Sequence, residues 1–115
     1  MTPTERKALD DYIAAVRAHY DDRLVDILVF GSRARGDHRP DSDADIAVVL
    51  RDGDWGFWDE QMNLAGLAYE VLLDHGLFIQ PWPVSRTAWE TPASSPKRRF
   101  IETVRQDARS LLEPV

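Results

Sequence analysis

Residues 24–50 have the sequence LVDILVFGSRARGDHRPDSDADIAVVL, in which two apolar runs flank a charged segment. The first run, Leu24–Phe30, is rich in β-branched and aromatic residues and stops at Gly31, which predicts a strand buried on most of both faces. The second run, Ile46–Leu50, predicts another buried strand, and the acidic string DSDAD leads into it. We therefore expect two core strands joined by a polar, charged connection.

Helical patterns lie on both sides of this pair of strands. Thr2-Pro3-Thr4-Glu5 is a capping box with proline at the first helical position, and apolar residues follow it at helical spacing as far as Tyr20. A second pattern runs from Phe57 to His75 and is closed by Gly76. Both segments are predicted to be amphipathic helices that cover the sheet.

The C-terminal part adds one strand and one helix to this outline. Residues 77–84 (LFIQPWPV) predict a third strand, and their two prolines favour an edge position because proline cannot donate to a sheet ladder. Ser95 can cap and Pro96 can start a last helix, whose apolar positions continue to Leu112. The order helix, strand, strand, helix, strand, helix predicts a small α/β sheet covered by helices.

Composition limits the kind of protein that this chain can be. The 115 residues fit one domain, 1–115, with 43% hydrophobic and 30% charged residues and no cysteine. No run approaches the roughly 18 apolar residues of a membrane span, and the N-terminus lacks a secretion-signal pattern, so we expect a cytoplasmic protein. The net charge of −6 disfavours broad electrostatic binding to nucleic acid.

The charged connection contains residue types that suit a phosphate group. Gly31 has no Cβ, so backbone can approach a ligand closely, and Ser32 can cap the following turn while offering a hydroxyl and an amide. Arg33 and Arg35 stand beside this turn, and guanidinium groups match the geometry of phosphate oxygens. An equally good interpretation of the two arginines is that they pair with Asp37 and Asp41 at the surface.

Two aspartates at the entrance of the second strand suit a metal ion. Asp43 and Asp45 are two residues apart, so in an extended chain both carboxylates point to one side. Next to a polyphosphate they would repel it unless a divalent cation lay between them, and Mg²⁺ or Mn²⁺ prefers such oxygen ligands. A calcium loop is excluded, because Ile46 occupies the position that requires glycine and Asp52 the position that requires glutamate.

The string Gly31-Ser32, ten residues, then Asp43-x-Asp45 resembles the signature of the DNA polymerase β-type nucleotidyltransferase superfamily. GSRARG followed by SDAD is similar to the minimal nucleotidyltransferases, short prokaryotic proteins that are often paired with a HEPN-domain protein. The resemblance implies a nucleotidyltransferase fold of the α/β (α+β) kind, with ATP or another nucleoside triphosphate at Gly31 and Ser32 and metal at Asp43 and Asp45. It also implies transfer of AMP to a tyrosine hydroxyl of a HEPN toxin, so that the small protein acts as an antitoxin.

One feature departs from the pattern of that family. Active members supply a third carboxylate from the next core strand, and the only polar residue in the corresponding segment here is Gln80. A neutral amide is a poor ligand for a hard metal ion. Three explanations stay open: Gln80 marks a degenerate site, Glu70 or Asp74 reaches the metal, or a partner contributes the missing group.

Three functions are therefore compatible with the sequence. The first is a metal-dependent nucleotidyltransferase that modifies a protein partner. The second is a catalytically silent nucleotide-binding or antitoxin module that acts by occluding its partner. The third is the catalytic part of a split small-molecule nucleotidyltransferase, completed by another chain or by a second copy in a homo-oligomer.

The four tryptophans, at positions 55, 58, 82 and 89, indicate core packing or partner contact rather than base stacking.

Overall fold

The computed structural model describes residues 2–39 and 42–112, and a four-stranded mixed sheet forms its centre. The strands are β1 (Leu24–Phe30), β2 (Ala44–Leu50), β3 (Ile79–Ser85) and β4 (Arg109–Ser110). Their order across the sheet is β3-β2-β1-β4; β1 is antiparallel to both of its neighbours, and β2 is parallel to β3. The predicted mixed α/β architecture is confirmed, and the proline-containing third strand lies at an edge as expected.

Five α-helices pack around the sheet within the described residues. The capping box predicted at Thr2 is present: the Thr2 side chain accepts a hydrogen bond from the Glu5 N–H, and Glu5 accepts one from the Thr2 N–H. The second long helix has the predicted bounds and ends at Gly76 in the left-handed conformation. The helices are α1 (Pro3–Tyr20), α2 (Ser32–Arg35), α3 (Phe57–His75), α4 (Arg86–Glu90) and α5 (Arg98–Asp107).

Apolar side chains pack on both faces of the sheet. On one face α1 and α3 cover alternate strand residues, among them Ile27 and Ile46. On the other face Val104 of α5 packs with Leu28 and Ala47. Strand residues alternate between faces, so Asp45, an odd-numbered residue of β2 like Ala47, belongs to the face that α5 covers. The fold thus places the candidate metal ligand under α5 and away from α3.

The prediction for the C-terminal segment is wrong at both ends of its helix. Ser95 caps a turn by accepting a hydrogen bond from the Lys97 N–H, and α5 begins only at Arg98. The helix ends at Asp107 because the next residue is extended, and the chain then forms β4 beside β1. The Leu111 N–H donates to the Ile27 carbonyl at 2.7 Å. This segment supplies backbone partners for a strand edge that would otherwise be open.

In the part of the chain that the structure describes, no helix is both long enough and apolar enough to cross a membrane.

Candidate functional site

The turn after β1 and the start of β2 meet at Gly31 and Asp45. Phe30, the last residue of β1, is the Cα partner of Asp45 in the antiparallel pair. Gly31 follows with φ +74°, and a Cβ atom built there would lie 2.9 Å from Oδ2 of Asp45. A side chain at this position would force the Asp45 carboxylate to move, and the left-handed backbone itself favours glycine. The sheet register therefore brings the predicted phosphate turn against the predicted metal ligand.

The glycine also begins the short helix α2. Gly31 occupies the N-cap position, which the sequence analysis gave to Ser32, and Ser32 is the first helical residue. Because Gly31 has no side chain, the amide groups at the start of α2 receive no side-chain cap. The helix ends after Arg35, where Gly36 adopts the left-handed conformation.

Asp43 and Asp45 differ in their surroundings. Asp43 is exposed just before β2, whereas Asp45 lies within the strand and is partly buried. Burial raises the pKa of the Asp45 carboxyl above its ordinary value, and the negative charge of Asp43 raises it further. A cation between the two carboxylates would relieve both effects.

Gln80 lies beside Asp45 in the sheet. The two residues are Cα partners in the parallel pair of β2 and β3, so their side chains emerge on the same face of neighbouring strands. Glu70 and Asp74 do not take its place, because both are exposed residues of α3, which covers the opposite face. Within residues 2–39 and 42–112, no group of three or more Asp, Glu, His or Cys side chains could hold a metal ion.

Two carboxylates are nevertheless enough protein ligands for a metal ion that is also bound by its substrate. Mg²⁺ usually keeps several waters and is bound by one or two protein carboxylates together with substrate phosphates. The pair Asp43 and Asp45 fits that chemistry, whereas a metal site built from protein atoms alone needs more ligands than this pair supplies. The donor set therefore suits a metal ion that arrives with a phosphate-bearing substrate.

Arg33 points away from solvent and joins the turn to α1. Its side chain is 1% exposed, and its Nη1 lies 2.9 Å from Oε2 of Glu5. Its Nη2 donates to the Ser42 carbonyl at 2.6 Å, just before Asp43. Its predicted pairing with Asp41 lies outside the described residues. Arg33 thus connects three segments: the start of α1, the turn after β1 and the approach to β2.

Arg35 is exposed and makes two ion pairs, one predicted and one not. It contacts Asp37, as the surface interpretation proposed, and its Nη1 donates to Oδ2 of Asp107 at 2.7 Å. The other oxygen of Asp107 accepts a hydrogen bond from the Gly31 N–H at 3.4 Å. Asp107 is the functional neighbour that the sequence analysis missed. It lies 76 residues away along the chain, at the end of a helix whose predicted course was wrong.

An apolar pocket of about 460 Å³ lies beside β3. Trp82, two residues after Gln80, lines it together with Phe100 of α5. Their ring centroids are 5.1 Å apart, and Phe100 also meets Phe30 edge-on at 6.2 Å. The volume is in the range of small-molecule sites. Gly31, Asp45 and Gln80 are not among the residues that line the pocket, so it lies farther along β3 than the candidate site.

The chain is similar to several known proteins. Residues 9–105 match the family described as nucleotidyltransferase domain. A protein of Methanocaldococcus jannaschii, MJ0604, whose name describes it as a candidate protein adenylyltransferase, is 36% identical over 75 residues. That match covers 65% of this chain and 68% of the relative.

Three solved structures have a similar fold. A toxin-antitoxin crystallised with AMP-PNP is 18% identical with a TM-score of 0.58, covering 91% of this chain and 73% of that one. The Elizabethkingia meningoseptica cyclic dinucleotide synthase CdnE, with GTP and Apcpp, is 19% identical with a TM-score of 0.53, covering 70% and 36%. A candidate nucleotidyltransferase from Sulfolobus solfataricus is 17% identical with a TM-score of 0.52, covering 96% and 86%.

The two arginines of the turn are expected to differ in their effect on stability. Arg33→Met leaves the Glu5 carboxylate and the Ser42 carbonyl without their buried donor, and we expect it to lower the free energy of unfolding by about 2–4 kcal/mol. Arg35→Met removes only exposed ion pairs, and we expect a loss below about 1 kcal/mol. Urea unfolding of both variants provides the measurement. Equal losses would show that Arg33 does not hold the turn.

Asp45→Asn is expected to stabilise the protein in the absence of nucleotide and metal. The pKa of Asp45 is raised in the folded state, so its charged form opposes folding above that pKa and ceases to do so as the pH falls through it. Solvent screens a partly exposed group, so the gain at pH 7 should be about 0.5–1 kcal/mol. Thermal unfolding from pH 7 down to pH 4 should show the gain shrinking. A gain that is constant across this range, or a loss at pH 7, contradicts the explanation.

Proposed function

The chain belongs to the nucleotidyltransferase-domain family, and on that premise we propose that it transfers AMP from ATP to a hydroxyl group of a HEPN-type protein partner and acts as an antitoxin. Mg²⁺ or Mn²⁺ would be the cofactor. The observation that carries the proposal is the approach of Asp45 to Gly31, which brings the predicted phosphate turn beside a predicted metal ligand. The name of the Methanocaldococcus jannaschii relative and the AMP-PNP in the toxin-antitoxin structure support this substrate class.

The nucleotide phosphates would be bound by the turn after β1. The Gly31 and Ser32 amides, the Ser32 hydroxyl and the Arg35 guanidinium are the available donors. In the described structure the Asp107 carboxylate accepts from both Gly31 and Arg35, as a phosphate oxygen would. A phosphate oxygen that takes the single Gly31 N–H would displace Asp107 from it, whereas the Arg35 guanidinium has further N–H donors and already serves both Asp37 and Asp107. Arg33 contributes to phosphate binding, in this proposal, by holding the turn in place through Glu5 and Ser42.

The reaction requires that charge be balanced and that a proton be removed. The acceptor oxygen forms a bond to the α-phosphorus, the bond to the β-phosphate bridge breaks, pyrophosphate leaves, and the hydroxyl proton passes to a base. A divalent ion held by Asp43 and Asp45 would neutralise charge on the phosphates. The Gln80 amide cannot accept the proton at neutral pH, so the base would be Asp43, Asp45, water or a group of the partner.

Gln80 favours a second function. With a neutral amide beside Asp45, the protein would retain the groups that bind a nucleotide with its metal ion but lack the third carboxylate of an active site. In that case it would bind nucleotide and partner without transferring AMP. The two proposals differ in one measurable respect, which is whether the partner becomes covalently labelled.

Label transfer distinguishes these proposals. The protein is incubated with α-labelled ATP and Mg²⁺, with and without the product of its neighbouring gene as the candidate partner, as wild type, Asp43→Asn and Asp45→Asn. We expect label on the partner and a loss of at least about 100-fold in both variants, because each removes a metal ligand. Asp54→Asn, in an exposed turn, is the matched control and should retain activity. Nucleotide binding without label supports the silent module; label that persists in Asp45→Asn contradicts the proposed site.

Gln80→Glu tests the position of the missing carboxylate. If transfer is limited by the absence of a base or ligand next to Asp45, the added carboxylate should raise the initial rate by about tenfold or more, whereas Gln80→Ala should not. It also adds a third negative charge, so Mg²⁺ should raise the melting temperature of Gln80→Glu more than that of the wild type. A variant that is slower than wild type would show that Gln80 itself has a role that a carboxylate cannot replace.

A further inference from the structure

A stripe of large apolar side chains runs along the outer surface of α3. Trp58, Met62, Tyr69 and Leu73 are 75%, 71%, 59% and 67% exposed. At 100° per residue they fall within about 60° of one another around the helix, over a length of about 22 Å. The buried residues of α3, such as Leu64, lie on the opposite side. We call these four side chains the α3 stripe. An exposed apolar patch of this kind marks an interaction surface.

The middle of the α3 stripe is suited to close contact with another helix. Gly66 lies there, and a Cβ atom built on it meets nothing within 4 Å. Tyr69 also lines a cavity of about 130 Å³ together with Phe78, which is 49% exposed. Such a volume accommodates roughly one apolar side chain. The surface therefore combines three features: the α3 stripe, a glycine that allows the backbone of another helix to approach, and a cavity that can hold one side chain of a partner.

The charges next to the α3 stripe indicate what kind of partner covers it. Asp59, Glu70 and Asp74 are exposed and fall on the adjoining arc of the helix, 100° to 160° from Trp58. Within the described residues none of the three makes an ion pair, and α3 contains no lysine or arginine. A second copy of this surface would bring three more acidic groups and no basic ones. A partner with lysine or arginine beside its apolar face would have complementary charge.

We propose that the α3 stripe is the docking surface for a helix of a partner protein, with an apolar face flanked by basic residues that meet Asp59, Glu70 and Asp74. The cavity beside Tyr69 is also lined by Gln80, the Cα partner of Asp45. A partner docked here contacts the edge strand β3 from the face that α3 covers, whereas the Gln80 side chain emerges on the opposite face with Asp45. The inference goes beyond the proposed function, because it rests on α3 and its test measures binding in the absence of nucleotide.

Two synthetic peptides serve as probes. Both are helical and 18 residues long with leucine at positions i, i+4, i+7 and i+11; one has lysine along one flank and the other glutamate. Fluorescence anisotropy of labelled peptide reports binding to the full chain. We expect the lysine peptide to bind at least about tenfold more tightly than the glutamate peptide and to weaken as salt is added.

Variants of α3 locate the binding site. Leu73→Lys should weaken the lysine peptide by at least about tenfold, whereas Ala18→Lys, an equally apolar-to-basic change on exposed α1, should not. The double variant Glu70→Lys/Asp74→Lys should reverse the preference between the two peptides. Melting curves verify that each variant is folded, which is expected because these side chains are exposed.

Three results would overturn the proposal. The first is equal binding of the two peptides or binding of neither, and the second is binding that Leu73→Lys leaves unchanged. The third is a dimer of the wild-type chain in sedimentation experiments that Leu73→Lys dissociates, which would make a second copy the occupant. Failure of AMP transfer would not affect any of these readouts, so the two proposals fail separately.

Discussion

The close approach of the Asp45 carboxylate to Gly31 constrains both strands at the centre of the sheet. It requires Phe30 and Asp45 to be register partners, because a shift of one residue would turn Asp45 to the face that α1 and α3 cover. It also favours glycine after β1, since the backbone there is left-handed and a Cβ would push against the Asp45 carboxylate. The antiparallel pairing of β1 and β2 is therefore the structural basis of the candidate site.

The electrostatics of the site follow from this crowding. A carboxylate that is partly desolvated and close to Asp43 has a raised pKa, and an anionic ligand would increase the repulsion unless a cation were present. The net charge of −6 offers no long-range attraction for a nucleotide. Attraction must come from local donors, and Asp107 and Asp37 already engage Arg35. Binding of a phosphate group is then an exchange of partners within an existing network of charges.

How much of this could be predicted depended on the range of the interactions involved. The capping box at Thr2, the helix from Phe57 to His75 and its end at Gly76 depend on neighbouring residues, and the sequence predicts them correctly. The edge position of β3 follows from its prolines, which is again a local property. The segment after Asp107 was predicted as helix because Leu111 and Leu112 have apolar spacing. Their burial instead results from β4 pairing with β1, a contact with no sequence signature.

The site shows the same division between local and distant contacts. The motif from Gly31 to Asp45 and the residue Gln80 could be identified from the chain alone, because their spacing and the strand order place them. The buried partner of Arg33 could not, since Glu5 reaches it from the first turn of α1. Asp107 was missed for a similar reason. Each arginine forms an ion pair with a carboxylate that is remote in sequence, and a local motif contains no information about it.

The inner and outer sides of helix α3 have different roles. Its inner side packs against the sheet through Leu64 and Val71, which fixes β3 and hence Gln80 beside Asp45. Its outer side carries side chains that no part of the described chain covers, with acidic groups along one flank. An exposed row of large apolar residues carries a cost in solubility and is retained where a partner buries it. A partner bound to α3 contacts β3 from the face opposite to the one on which Gln80 and Asp45 emerge, so it would influence the candidate site through the position of that strand.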